Sequence, residues 1–279
     1  MIASSPSAKQ RRVVLITGAS SGIGRACAEH LAARGFRVFG AQRHTAGDEN
    51  RAGDVEHLTM DVDDDDSVNR AIQILLENVG RLDVVVNNAG FALMGSVEDT
   101  SIAEAKAQME TNFFCVLRVC RAVLPIMREQ GRGHIINISS LAGVLGLPFS
   151  GLYSASKFAL EGMTESLRLE TRRFGVRVVL IEPGDFRTQL PAKRRIASAS
   201  ETNDAYREAF TRFKASQDKD EAKAPTPEPV AHLVERILCS DSPSARYSIG
   251  MLGQRIVVPL KRLLPQRVFE WALSRVLGL

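Results

Sequence analysis

The chain has 279 residues, of which 44% are hydrophobic and 24% are charged, and its formal net charge is +4. A charge this small for the length indicates neither nucleic acid nor an acidic partner. No stretch is long enough to cross a bilayer and the polar segment 1–12 lacks the apolar core of a signal peptide, so we expect a cytoplasmic protein.

Apolar, β-branched runs alternate with helical stretches along most of the chain. The strand-like runs cover residues 13–17, 36–41, 57–60, 82–86, 135–138 and 176–181. This alternation predicts a doubly wound α/β fold, in which a mostly parallel sheet carries helices on both faces. The sequence has no internal repeat and no long linker, so residues 13–279 are expected to form a single domain after a polar tail at 1–12.

The first predicted strand leads into a glycine-rich turn, in which Gly18, Gly22 and Gly24 precede a helical stretch. Glycine permits positive φ and leaves the backbone open to a pyrophosphate, which the exposed amides at a helix N-terminus can bind. A plain tight turn is the alternative interpretation. The strand before the turn and the helix after it favour a dinucleotide-binding turn.

The second predicted strand ends at Gln42 and Arg43, where a dinucleotide would place its adenosine ribose. An acidic residue at this position binds the 2′-hydroxyl of NAD, whereas an arginine accepts the 2′-phosphate of NADP. The chain therefore favours NADP(H), with NAD(H) as the alternative cofactor. Arg43 could also be an ordinary solvated loop residue.

Tyr153 and Lys157 lie four residues apart in a predicted helix. Four residues advance an α-helix by about 400°, so the phenol and the ammonium project from nearly the same face. A nearby cation favours the phenolate, so we expect a lowered tyrosine pKa and a role in proton transfer. Taken alone, the pair could equally be two neighbours on the protein surface.

With these motifs, the chain resembles the short-chain dehydrogenase/reductase family from about Val13 to about Thr188. The resemblance rests on the turn Thr17-Gly18-x-x-x-Gly22-Ile23-Gly24, on Asp61-Val62, on Asn87-Asn88-Ala89-Gly90, and on Pro183-Gly184 with Thr188. It implies a Rossmann-type fold that binds a nicotinamide dinucleotide. Together with Arg43, the predicted cofactor contacts are Thr17, Gly18, Ser20, Ser21, Gly22, Ile23, Gly24, Asp61, Val62, Asn88, Ala89, Gly90, Tyr153, Lys157, Pro183, Gly184 and Thr188.

The same resemblance implies a catalytic tetrad of Asn112, Ser140, Tyr153 and Lys157. Ser140 would polarise a carbonyl, Tyr153 would transfer the proton, Lys157 would hold the nicotinamide ribose, and Asn112 would position a water molecule. Ser140 could otherwise cap a turn, and Asn112 could be a local hydrogen-bonding residue. The resemblance also implies a homo-oligomer that is built through the long helices near Asn112 and Tyr153.

The substrate end is predicted from apolar residues that follow the Asn-Ala-Gly motif or precede Tyr153: Phe91, Leu93, Met94, Val144, Leu145, Leu147 and Phe149. They predict a lipophilic ketone, aldehyde or alcohol as substrate, although they could simply pack the sheet edge. The run from Gly146 to Gly162 is similar to hydroxysteroid and retinol dehydrogenases, which favours a steroid- or retinoid-like substrate. The alternatives are a 3-oxoacyl thioester reductase and a non-catalytic NADP-binding regulator.

Two segments beyond the motifs are expected to shape the substrate end. Residues 185–226, with a helix at about 204–214, would form a cover. The arginines and lysine at 187 and 193–195 are expected to be solvated, and the alternative is contact with a substrate anion or the NADP phosphate. Residues 254–279 form an amphipathic extension that could pack on the domain, close the cleft or lie on a membrane surface.

The cysteines and the acidic run have ordinary structural interpretations. The four cysteines fit a reducing compartment, and Cys115 and Cys120 are expected to pack within a helix. The run 63–66 is expected to cap the helix that follows it. Neither group has the residues or the spacing of a metal site, so no metal is expected.

Overall fold

The computed structural model describes residues 11–43, 54–188 and 194–277. Its strands are β1 (Val13–Thr17), β2 (Arg37–Gln42), β3 (Val55–Thr59), β4 (Val84–Asn87), β5 (Leu93–Met94), β6 (Gly133–Ile138), β7 (Val176–Pro183), β8 (Arg195–Ile196) and β9 (Arg246–Ile249). Its α-helices are α1 (Gly22–Ala33), α2 (Asp65–Val79), α3 (Ile102–Met109), α4 (Cys115–Glu129), α5 (Gly151–Thr171), α6 (Asp204–Lys223), α7 (Glu228–Leu238), α8 (Leu252–Leu263) and α9 (Gln266–Leu277).

Within this part of the chain, the main sheet has seven parallel strands in the order β3-β2-β1-β4-β6-β7-β9. The order reverses between β1 and β4, because β2 and β3 lie on one side of β1 and β4, β6 and β7 lie on the other. Such a reversal opens a crevice at the carboxyl ends of the strands. The predicted doubly wound α/β fold is confirmed.

Two apolar layers cover the sheet, because successive side chains of a strand point to opposite faces. In β1, Val13 and Leu15 pack with α2, α4 and α5, whereas Val14 and Ile16 pack with α1 and α7. Cys115 and Cys120 are buried in the first layer, which confirms them as helix-packing residues. Burial raises the pKa of each of these two thiols to about 12.

Some strands and helices end at other residues than predicted, because tertiary contacts determine their ends. β7 continues to Pro183 because it pairs with β9, a strand that the sequence analysis did not predict. The helix predicted at about 204–214 extends to Lys223, and Lys214 Nζ donates to Asp218 Oδ2 at 2.8 Å within the added turns. The cap predicted for the acidic run is confirmed, since Asp64 accepts a hydrogen bond from Ser67 N at 2.5 Å.

The C-terminal extension forms the two helices α8 and α9, and it packs on the domain through part of its surface only. Phe269 is buried and Leu277 packs against the Met94, Phe210 and Phe213 cluster. The expected packing is therefore partial, because several of its large apolar residues remain exposed: Leu252, Ile256, Leu260, Leu263, Val268 and Trp271. None of the helices described in the structure has both the length and the apolar composition for crossing a bilayer, and the cytoplasmic location stays a prediction.

Candidate active site

A cleft of about 540 Å³ lies at the carboxyl ends of the parallel strands. Nearly every residue predicted to contact the cofactor or to act in catalysis lines it. Thr17 and Gly24 do not line it, and their direct contact with the cofactor stays a prediction. The fold has thus brought together side chains that lie more than 150 residues apart in sequence, from Gly18 to Thr188.

Thr17 and Gly24 instead join the glycine turn to the end of β4. Thr17 is buried, and its Oγ1 accepts hydrogen bonds from Asn88 N and Ala89 N, each at 3.0 Å. The Asn88 side chain donates to Thr17 O at 3.0 Å and to Gly18 O at 3.3 Å. A Cβ atom at Gly24 would overlap Asn88 Nδ2 and Gly18 O, so only glycine fits there.

The glycine turn fits the pyrophosphate of a dinucleotide. Gly18 and Gly22 have φ values of 65° and 58°, in the left-handed region that favours glycine. The side chain of the N-cap Ser21 makes no capping hydrogen bond to α1, and no acidic residue lies in the first turn of that helix. Ser20, Ser21, Gly22 and Ile23 line the cleft, so the positive end of α1 opens onto the place an anion would occupy.

Asn112 lies in a π-helical turn, Glu110–Phe114, between α3 and α4. Its Oδ1 accepts from Phe91 N and its Nδ2 donates to Phe91 O, both at 3.0 Å, and Nδ2 also lies 3.2 Å from Ser156 Oγ. These bonds engage both polar atoms of the amide, as the alternative of a local hydrogen-bonding residue predicts. Asn112 therefore holds the segment after β4 against α5, and its water-positioning role stays a prediction.

Ser140 follows β6 and begins a 3-10 turn, Leu141–Gly143. Its Oγ accepts from Ala142 N at 3.1 Å, so the hydroxyl caps this turn as the alternative interpretation proposed. The same hydroxyl lines the cleft and hydrogen-bonds the phenol of Tyr153, an interaction that by itself lowers the pKa of the tyrosine. The cap fixes the hydroxyl position beside Tyr153.

Tyr153 and Lys157 face the same cleft from the first turns of α5. Lys157 Nζ lies 6.0 Å from the centre of the Tyr153 ring and donates to Ile138 O at 2.9 Å. Burial lowers the pKa of Lys157 to about 8, while the charges of Cys115 and Glu161 act in the opposite direction.

The expected lowering of the Tyr153 pKa is wrong for this structure. Burial raises the pKa of Tyr153 above its ordinary value of 10, and the carboxylates of Asp185 and Glu221 raise it further. The hydrogen bond with Ser140 only partly offsets these effects. The phenol therefore keeps its proton at neutral pH, which suits a proton donor.

The substrate end of the cleft is only partly the apolar site that the sequence predicts. Phe91, Met94 and Leu147 line it, but Leu93, Val144, Leu145 and Phe149 do not. The ring of Phe149 instead packs against Phe210 and Phe213 of α6, with ring centroids 5.6 Å apart in each pair. The preceding loop thereby anchors α6.

Charged and polar residues that sequence reasoning did not assign also line this end: Asp185, Arg194, Arg195, Gln217 and Glu221. The Arg194 side chain is only 6% exposed and forms ion pairs with Asp218 at 2.7 Å and with Glu221, so its predicted solvation is wrong. Arg195 lies 4.1 Å from the centre of the Phe91 ring. Gln217 and Glu221 are four residues apart, which places both side chains on one helical face. This spacing was the sequence signal that could have identified them.

At the opposite end of the cleft, Gln42 ends β2, Arg43 follows it, and both line the cleft with Asp61 and Val62. Asp61 Oδ1 accepts from Asp63 N at 3.1 Å, which holds the backbone after β3. The end of β2 carries Gln42 and Arg43 rather than an acidic residue, and Arg43 is exposed. The 44–53 loop that follows lies outside the described residues.

A parallel sheet with a glycine turn at its switch point, and a cleft that combines tyrosine, lysine and serine, define a nicotinamide-dependent oxidoreductase. A family model described as short chain dehydrogenase matches residues 12–199. The chain belongs to this family, whose members act on CH–OH or carbonyl groups with NAD(H) or NADP(H).

The chain is similar along nearly its whole length to proteins of this family. A 3-ketodihydrosphingosine reductase of Bacteroides thetaiotaomicron is 40% identical over 264 residues, with 95% of this chain and 97% of that protein covered. An NADPH-dependent 3-dehydrocapnine reductase of Ornithobacterium rhinotracheale is 33% identical, with 86% and 88% covered. The crystal structure of a short-chain dehydrogenase from Streptomyces avermitilis superposes with a TM-score of 0.81 at 33% identity, covering 95% of this chain and 97% of that one.

Proposed function

We propose that the protein reduces a long-chain lipophilic ketone with NADPH. The observation that carries the proposal is the Tyr153 phenol, whose pKa is raised by burial and which Ser140 holds by a hydrogen bond, in a cleft whose far end combines Phe91, Met94 and Leu147 with the partly buried carboxylates of Asp185 and Glu221. A phenol that keeps its proton favours reduction of a carbonyl over oxidation of an alcohol.

The residues of the chain have separate parts in this chemistry. NADPH supplies a hydride when it is bound, and the residues named at the glycine turn and after β4 would hold it. Ser140 and Tyr153 donate hydrogen bonds to the ketone oxygen, and Tyr153 gives its proton to that oxygen as negative charge develops. Lys157, buried beneath Tyr153, stabilises the phenolate that remains.

Two observations favour an aminoketone over a steroid or retinoid. Two relatives are named for substrates that carry an amino group beside a ketone on a long chain, 3-ketodihydrosphingosine and 3-dehydrocapnine. Asp185 lines the cleft close enough to Tyr153 to influence its pKa, and burial raises the pKa of Asp185 itself. An ammonium group beside Asp185 would offset the cost of burying this carboxylate.

A substrate comparison tests this proposal. The purified chain is assayed with NADPH and 3-ketodihydrosphingosine, its N-acetyl derivative, a steroid ketone, retinal and a 3-oxoacyl thioester. We expect the free amine to exceed the N-acetyl compound in kcat/KM by at least about tenfold, since a charge-assisted hydrogen bond is lost. Asp185→Asn should remove this preference, whereas Asp204→Asn, which changes a highly exposed carboxylate outside the cleft, should keep it. A steroid, retinal or the thioester as best substrate would contradict the aminoketone proposal.

The preference for NADPH over NADH is proposed from the end of β2. Gln42 and Arg43 present no negative charge to a 2′-phosphate, and Arg43 can donate to it. Arg43→Ala should weaken NADPH binding about tenfold or more and leave NADH binding nearly unchanged. Fluorescence titration of both cofactors measures this, and tighter NADH binding by the unmodified chain would refute the preference.

Peripheral membrane contact is proposed from α8 and α9. Leu252, Ile256, Leu260 and Leu263 form one stripe along α8, with exposures between 39% and 78%. Residues 251–279 contain five basic residues and one acidic residue, which complements anionic lipid headgroups. The inner side of the same helix contacts the site, because Lys261 Nζ donates to Val144 O at 2.7 Å and Gln254 Nε2 donates to Asp185 at 2.5 Å.

Vesicle co-sedimentation tests this contact. The chain should bind vesicles that contain an anionic lipid, and Ile256→Asp/Leu263→Asp should abolish that binding by placing charge in the apolar interface. Ile102→Asp/Val97→Asp introduces the same charge at residues that are 72% and 71% exposed elsewhere, so it should bind normally. Equal loss in both variants would contradict a specific role of α8.

A further inference from the structure

A second large cavity, of about 820 Å³, lies at the amino ends of the strands, on the sheet edge opposite the active site. The fold gathers arginines there from β1, β4, β6, α5 and β7 or the segments beside them. The arginines lining this cavity, here called the arginine cavity, are Arg12, Arg81, Arg132, Arg168, Arg172 and Arg177.

The arginine cavity holds an excess of positive charge. Asp83 and Asp241 are the acidic residues that line it, against six guanidinium groups. The excess of four charges equals the formal net charge of the whole chain, +4. The rest of the sequence therefore sums to no net charge, although residues 251–279 carry a basic excess of their own.

Three of the six guanidinium groups are already engaged. Arg12 donates to Leu238 O at 2.6 Å, Arg177 donates to Ser240 O at 3.0 Å, and Arg81 forms an ion pair with Asp83. These contacts hold the walls of the cavity in place.

The other three, on Arg132, Arg168 and Arg172, make no hydrogen bond or ion pair with any residue that the structure describes. The tail 1–10, which precedes Arg12 in sequence, contains no aspartate or glutamate that could neutralise them. These three arginines are exposed, and among the described residues their positive charges have no counter-ion.

His134 independently indicates that the arginine cavity contains a buried polar atom without a hydrogen-bond partner. It lines the arginine cavity, and its Nε2 is buried without a hydrogen-bond partner among the described residues. Burial, and then the charges of Arg12 and Arg177, lower the pKa of His134 to about 4, although Asp83 acts in the opposite direction. The arginines thus add to the effect of burial in keeping the imidazole neutral.

We propose that the arginine cavity binds a small anion that carries two or more phosphate groups. Guanidinium groups bind phosphate through paired, parallel hydrogen bonds, and three free ones exceed what a single phosphate needs. The volume falls within the range of about 300 to 1,000 Å³ that small-molecule sites occupy. This site lies at the other sheet edge from the cleft and does not depend on the proposed substrate.

Calorimetric titration with inorganic tripolyphosphate tests the proposal on the full chain. Binding should weaken at least about tenfold in Arg132→Ala/Arg168→Ala/Arg172→Ala, because charge-assisted hydrogen bonds are lost. The control Arg173→Ala/Arg207→Ala/Arg212→Ala removes three charges outside the cavity and should bind within about twofold of the unmodified chain. No binding by the unmodified chain, or an equal loss in both variants, would overturn the proposal.

Two further arms separate the sources of such an anion. Vesicles with a phosphorylated inositol lipid that bind through the same arginines would identify a lipid headgroup, whereas binding of tripolyphosphate alone would identify a free phosphorylated molecule. Single-stranded RNA that binds more tightly than tripolyphosphate would overturn the assignment to a small anion. NMR titration of His134 locates the ligand, since its pKa should rise when an anion offsets the arginines, and an unchanged pKa would place the binding elsewhere.

Discussion

Burial sets the chemistry of Tyr153 more strongly than its lysine neighbour does. Since the raised pKa keeps the phenol protonated, replacing it with phenylalanine removes the proton donor while keeping the ring. Tyr153→Phe should lower kcat about 10² to 10⁴-fold and leave NADPH affinity nearly unchanged. Stopped-flow turnover and fluorescence titration measure the two effects, and a rate close to that of the unmodified chain would contradict the proton-donor role.

The pKa of Lys157 predicts how the reaction rate depends on pH. Its pKa is lowered to about 8, so its positive charge is present below that pH and is lost as the pH rises through it. Because the pKa of Tyr153 is raised above its ordinary value of 10, only the titration of Lys157 should appear in the pH profile. We therefore expect kcat/KM for NADPH to fall once, as the pH rises through about 8. Steady-state rates from pH 6 to 10 test this, and a flat profile up to pH 10 would show that the lysine charge is dispensable.

At the scale of elements, the β1–turn–α1 unit depends on a glycine inside a helix. Alanine normally stabilises a helix interior by about 1 kcal/mol over glycine. At Gly24 the new methyl group would overlap Asn88 Nδ2 and Gly18 O, so Gly24→Ala should lower both stability and NADPH affinity. Gly162→Ala on α5 meets nothing within 4 Å and should be neutral or stabilising in the same urea unfolding series.

The edge strand β9 depends on one arginine. Arg246 pairs with Glu161 at 2.8 Å, with Glu165 at 2.9 Å and with the fully buried Glu182 at 2.9 Å. Arg246→Ala leaves two buried carboxylates without a cation, which should cost about 3 kcal/mol at pH 7. The loss should shrink at pH 5, because burial already raises the pKa of Glu161 and protonation removes the unpaired charge.

Urea unfolding at both pH values measures this effect. Arg207→Ala serves as control, since its partner Asp204 is highly exposed and the change should cost less than about 0.5 kcal/mol. Equal costs for the two variants would show that the buried network contributes nothing specific.

At the scale of the whole molecule, local patterns predicted the sheet and most of the cofactor cleft. β1, β4 and β6 are short, buried apolar runs, and the predicted ends of these strands lie within two residues of the observed ones. Tyr153 and Lys157 could be paired from helix geometry alone. For Thr17 and Gly24 direct cofactor contact stays a prediction, because a motif does not distinguish a residue that touches a ligand from one that positions its neighbours.

What local patterns could not provide depends on contacts between distant segments. β9 is only four residues long and is defined by pairing with β7. Glu221 reaches the cleft from α6 and Asp185 from the segment just after β7, and the raised Tyr153 pKa follows from burial in this assembled cleft. The arginine cavity likewise draws on residues from position 12 to position 177, with no motif among them.

Self-association is predicted for the helices α4 and α5 and the π turn before them. Phe114 and Leu117 are 43% and 36% exposed on this surface, which is much apolar area for a monomer to leave in water. Phe114→Asp/Leu117→Asp should convert an oligomer into a monomer, because burying two carboxylates at an interface is costly. Light scattering after gel filtration measures the mass, and a monomeric unmodified chain would contradict the prediction.

The ion pairs that Arg194 forms with Asp218 and Glu221 have a consequence for the catalytic cycle. Its side chain is nearly enclosed between Asp218 and Glu221, so swinging α6 aside would have to hydrate a cation and two carboxylates. Departure of the alcohol product would then be slower than hydride transfer, and pre-steady-state traces would show an initial burst of NADPH consumption. Arg194→Met would remove these ion pairs, which should raise the rate of product departure and reduce the amplitude of the burst.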